Sequence, residues 1–153
     1  MHGFAQFLLR ALWLGVPAAA LLLAGCESTP SMSSASGSEQ GVLVDLGGSQ
    51  EVPPVDASGS ASGTITVAPD GAISGSVTTS GVAGTAAHIH MGAIGKNGPV
   101  VIPLQKSGDD TWRVPAGAKL KPDQMAAYKS GKLYINVHTA AHKSGEVRGQ
   151  IIP

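Results

Sequence analysis

Thr64-Ile65-Thr66-Val67, the turn Pro69-Asp70-Gly71, and Ile73-Ser74-Gly75-Ser76-Val77-Thr78 form the most constraining stretch of the chain. Two runs that alternate polar and apolar at period two flank a strong turn, and this arrangement predicts a hairpin with Ile65, Val67, Ile73 and Val77 facing inward. The same grammar recurs along the chain. Val42-Leu43-Val44-Asp45-Leu46 is a first strand candidate, followed by a turn at Gly47-Gly48 and a stiff exit at Pro53-Pro54. Ser58–Gly63 is small and polar and reads as a loop. Val100–Leu104, Thr111–Val114, Leu133–His138 and Glu146–Ile151 are further short strands.

One helix interrupts the pattern, over Lys121–Ser130. Pro122 suits its first turn, Asp123 its positive end, and Gly131 the position after its C-cap; Met125, Ala126 and Tyr128 supply packing. Seven or eight short strands with turns at nearly every interval predict an all-β Greek-key sandwich or barrel with one short helix. Charged residues are only 13% of the chain while glycines number 21, which also favours a turn-rich β protein over a helical bundle.

The N-terminus follows different rules. Arg10 precedes an apolar run from Ala11 to Gly25, 15 residues long. A membrane-spanning helix needs about 20, so this length suits the core of a signal peptide. The run ends in Leu23-Ala24-Gly25-Cys26, which resembles a bacterial lipobox. Residues 1–25 are therefore expected to be a lipoprotein signal peptide. Cys26 is expected to carry diacylglycerol, with its new amino group acylated after cleavage. It is the only cysteine, so no intramolecular disulfide exists. Several acyl chains hold a protein on a bilayer far more firmly than one. Glu27 replaces the aspartate that retains lipoproteins in the inner membrane of well-studied Gram-negative bacteria. The expected location is the outer membrane, facing the periplasm. Residues 26–41 are Ser-rich and read as a flexible tether, leaving 42–153 as the folded domain.

Candidate chemistry lies in Ala87-His88-Ile89-His90-Met91 and Tyr134-Ile135-Asn136-Val137-His138-Thr139. On a strand, His88 and His90 share one face and Ile89 takes the other; Tyr134, Asn136 and His138 likewise share a face. Imidazoles at i and i+2 with a third from another strand fit a copper or zinc site. His-Ile-His also resembles the His-Val-His copper ligands of copper–zinc superoxide dismutase, although that enzyme's bridging histidine, zinc loop and disulfide have no counterpart here. The alternative is structural: the imidazoles bond to backbone, Glu51, Asn136 or Glu146 and knit the sheet edges. Glu146 and Arg148 share a face and are expected to pair with each other or with Glu51.

Ten basic residues balance ten acidic ones, so no charge argument points to nucleic acid. There is no Gly-x-Ser-x-Gly and no free cysteine after lipidation, and acidic residues are scattered. The expectation is a non-enzymatic, membrane-tethered domain with a binding or envelope-structural role. The alternatives are a periplasmic metal-binding protein and an enzyme of unrecognised type.

Four blocks in order resemble the CHRD domain, a module named after its copies in chordin and present in many bacterial exported proteins. They are Gly48-Ser49-Gln50-Glu51-Val52-Pro53-Pro54, Ala87-His88-Ile89-His90 running on to Gly95-Lys96-Asn97-Gly98-Pro99-Val100-Val101, Leu133–Ala140, and Gly145-Glu146-Val147-Arg148-Gly149-Gln150-Ile151. Met91-Gly92 departs from the family's more usual Gly-Pro, and His142 occupies a turn where small or polar residues are usual. The resemblance implies a β-sandwich and no settled activity.

Overall fold

The computed structural model describes residues 40–153; the expected signal peptide, Cys26 and the expected tether through residue 39 lie outside the described residues. Nine antiparallel strands form one sheet: β1 Val42–Gly47, β2 Ser60–Val67, β3 Ile73–Ser80, β4 Gly84–Met91, β5 Val100–Pro103, β6 Gln105–Lys106, β7 Thr111–Arg113, β8 Leu133–Thr139 and β9 Val147–Ile151. A short 3-10 turn spans Gly48–Gln50, and the single α-helix among the described residues, α1, spans Pro122–Lys129.

The strand order is β5-β4-β8-β9-β1-β2-β3-β7-β6. Its two ends, β5 and β6, are separated in the chain by Leu104 alone. The segment 100–106 thus pairs with β4 through its first half and with β7 through its second. The chain itself nearly closes the sheet into a barrel, and closure removes the exposed edges that an open sheet must protect. Across the β1–β9 seam the ladder is reduced to Gly47 opposite Arg148.

The expected hairpin is β2–β3, in register from Ser60–Ser80 to Val67–Ile73. Ile65, Ile73 and Val77 are buried as the alternation predicts, together with Val44, Leu46, Ile89, Ile135, Val137, Val147, Ile151 and Trp112. The core is aliphatic with few aromatics.

The stretch 58–63 corrects the sequence reading. Ser60–Gly63 is strand, paired with β1 on one side and β3 on the other. Small residues carry weak strand propensity, but here the ladders on both sides decide. At Gly63 a Cβ would collide with the backbone of Ser76 and Val77, so only glycine lets the two strands approach. In α1 the buried residues are Ala127 and Tyr128, with Met125 partly buried; Ala126, expected to pack, is exposed. Gly131 adopts φ 63° after the helix, as a C′ glycine does.

Candidate metal centre

The strands β4, β8 and β9 are neighbours, and alternation gives them two different faces. Ile89, Ile135, Val137, Val147 and Ile151 line the barrel interior. On the outer face the register places His88 opposite Asn136, His90 opposite Tyr134, Ala86 opposite His138, and Asn136 opposite Arg148. His90, Tyr134, Asn136 and Arg148 are buried even so. They are covered by the turn after β1, the loop 92–99 and the turn 140–146, which contribute many of the cluster's hydrogen-bond partners. A second, polar layer therefore sits on the barrel wall.

The three histidines meet in this layer. One ring nitrogen from each lies within 4.8 Å of the others, and they form a candidate metal-holding group among the described residues. Points this close share a centre no more than about 2.8 Å away, against a zinc–nitrogen bond of about 2.0–2.1 Å. Small side-chain shifts would bring all three into bonding range.

The outward nitrogens are fixed by carbonyls. His90 Nδ1 donates to Gly98 O at 2.9 Å, and His138 Nδ1 donates to Lys143 O at 3.0 Å. A carbonyl only accepts, so both neutral rings carry their proton on Nδ1 and their lone pair on Nε2. His138 Nε2 faces His88 Nδ1 at 3.0 Å. His90 Nε2 is buried with no hydrogen-bonding partner in the protein. Burial holds the pKa of both His88 and His90 below the ordinary histidine value. For His88, the neighbouring His138 and His90 add to that depression. For His90, the Gly98 carbonyl and the nearby Asn136 side chain oppose it, while His138 and Arg148 add to it. Both rings therefore favour the neutral form that binds metals.

A stack supports the site. Tyr134 lies parallel to His90, with centroids 4.9 Å apart and planes at 7°. The Arg148 guanidinium sits 3.5 Å from the Tyr134 ring centre. Arg148, 1% exposed, donates to Ala93 O, Lys96 O and Asn97 Oδ1 and so pins the loop that carries Gly98. Tyr134 Oη accepts from Gly98 N at 3.1 Å. The orientation of His90 thus traces back through Gly98 to Tyr134 and Arg148.

The ion pair expected of Arg148 is absent: among the described residues the single salt bridge is Lys119–Asp70. Glu146 instead accepts from Thr139 Oγ1 at 2.7 Å, and Arg148 is satisfied mainly by carbonyls. Glu51 is buried near Asn136, and burial raises its pKa to about 7 despite the opposing Arg148 charge. Gly145 (φ +132°) makes room for both side chains, since a Cβ there would overlap Glu51 Oε1 and stand 2.7 Å from Asn136 Nδ2. Beside Glu51 a cavity of about 480 Å³ opens between Val52, Ile94 and Gln150.

The roles of Tyr134, Arg148 and the Gly98 carbonyl are not evident from residue types. Alternation does put Tyr134 on the histidine face, and that is the signal the sequence offers. His142, in the turn after β8, stays outside the cluster and is bonded through its backbone.

The fold and this cluster define an all-β barrel domain with a buried polar, histidine-bearing layer on one wall. The family model for the CHRD domain matches residues 42–151, and the chain belongs to that family. The four sequence blocks that resemble the family supply nearly every residue of the polar layer, from Glu51 to Gln150. Neither the curated proteins nor the solved structures contain a match to this chain.

Proposed function

We propose that this CHRD-domain protein is a lipid-anchored binding protein of the bacterial cell envelope, non-enzymatic, whose ligand is a copper or zinc ion held by His88, His90 and His138. The observation that carries the metal reading is His90 Nε2: a buried lone pair with no protein partner, aimed by a carbonyl on the opposite nitrogen and grouped with two more imidazoles. Burying an unpaired polar atom costs about 1–3 kcal/mol, which a metal–nitrogen bond would offset. The backbone carbonyls behind His90 and His138 are the usual kind of partner for a metal-bound histidine. The anchor rests on Leu23-Ala24-Gly25-Cys26 and the Ser-rich segment that follows it; acylated Cys26 would insert in the bilayer, in the outer membrane facing the periplasm.

The bonds from His90 to Gly98 and from His138 to Lys143 support a second, structural reading, in which the imidazoles staple two loops to the barrel wall. Metal analysis and thermal melts of the purified chain, with and without copper or zinc, separate the two. The metal reading expects one ion per chain, a melting temperature that rises with metal, and loss of both in His90→Ala and His138→Ala but not in His142→Ala. Binding should weaken as pH falls through the depressed pKa values of His88 and His90, below the ordinary histidine value of about 6.5. Destabilisation of both variants with no response of the wild type to metal would leave only the staple.

A further inference from the structure

We infer that the ion this site selects is monovalent copper, and that the buried Arg148 sets the preference; the inference rests on the histidine-site reading above. The grouped ligands are three imidazoles, with no carboxylate or thiolate among them. The next unpaired buried oxygen beside them, Asn136 Oδ1, is also neutral. Three imidazoles leave zinc one position short of its tetrahedron, which a water would have to fill, and leave divalent copper short of its tetragonal set. A d¹⁰ monocation is satisfied by three neutral nitrogens.

Charge points the same way. Arg148 stands on the far side of Tyr134 from His90, because β8 runs between β4 and β9. Its charge is 1% exposed and, among the described residues, has no carboxylate within ion-pair distance. The one buried carboxylate among the described residues, Glu51, is only about half ionised near neutral pH. Glu146, on the adjoining turn, accepts from Thr139 and lies beyond ion-pair distance of Arg148. Arg148 lies 3.5 Å from the Tyr134 ring centre, which lies 4.9 Å from that of His90. Over a separation on the order of 10 Å, at an effective dielectric near 20, a guanidinium penalises each added unit of ion charge by roughly tenfold in affinity. A divalent ion bears that penalty twice and a monovalent ion once.

The test uses the full chain with Cys26→Ser in every arm, so that no cysteine sulfur competes for copper. Copper(I), held reduced without oxygen, and zinc(II) are each titrated against a coloured chelator. The expected result is copper(I) bound more tightly than zinc(II), with both lost in His90→Ala. Arg148→Met should move the zinc-to-copper(I) affinity ratio about tenfold towards zinc. Arg148 also pins a loop, so Glu51→Gln, which leaves those bonds intact, provides the second arm and should move the ratio a few-fold the other way. Zinc bound as tightly as copper(I), or a ratio unmoved in folded Arg148→Met and in Glu51→Gln, would overturn the selectivity and leave the histidine site standing. Binding of neither ion would overturn both.

Discussion

Replacing Glu51 by Gln should stabilise the domain at alkaline pH and change it little in acid. Burial raises the Glu51 pKa from 4.5 to about 7. Between those values the folded state holds a proton that the unfolded state has released, so stability is lost as pH rises through the window. A tenfold change in a proton equilibrium is worth about 1.4 kcal/mol, so the whole rise amounts to about 3 kcal/mol above pH 7. At pH 5 only about 1 kcal/mol of that has developed, so the wild type should lose roughly 2.5 kcal/mol between pH 5 and pH 8 through this group alone. The glutamine amide mimics the protonated carboxyl and does not titrate. The depressed histidines lose stability in the opposite direction, as pH falls below about 6.5, but they are common to both proteins and cancel in the difference. Urea unfolding of residues 42–153 can be followed by the fluorescence of Trp112, which is buried and the sole tryptophan in that segment. The gap between variant and wild type should widen by about 2.5 kcal/mol from pH 5 to pH 8. A gap that is the same at both pH values would refute the buried, proton-holding carboxyl.

Three further outcomes are expected. Cys26→Ala should block lipidation and leave an unprocessed or misrouted precursor; a variant processed and membrane-bound like the wild type would count against the lipobox. Residues 42–153 alone should fold with a β-dominated circular dichroism spectrum, and a chain unfolded unless residues 27–41 are present would place the boundary elsewhere. Gly145→Ala puts a methyl group into Glu51 and Asn136 at φ +132°, so it should cost about 2–4 kcal/mol in chemical denaturation, whereas Gly117→Ala, where nothing lies within 4 Å, should cost only the backbone strain of its positive φ.

Local periodicity by itself determined the class of fold and the sidedness of the candidate site. Side chains alternate along any strand by covalent geometry, so Ile65 and Val77 had to face one way, and His88 had to share a face with His90. Proline fixes its own φ and glycine alone takes positive φ without strain, so the hairpin turn at Pro69-Asp70-Gly71 and the helix between Pro122 and Gly131 were legible too. Tertiary structure decided whatever depends on a partner distant in the chain. Ser60–Gly63 carries no strand signal and becomes strand because β1 and β3 both pair with it. Arg148 looked like half of an ion pair, yet its partners are carbonyls, and a carbonyl is invisible to residue type. The lone pair of His90 is aimed by Gly98 O, eight residues away across a loop whose path Arg148 sets from another strand. Strand pairing is the largest such term: the β4–β8 and β8–β9 registers, not local preference, bring separated sequence blocks onto one wall.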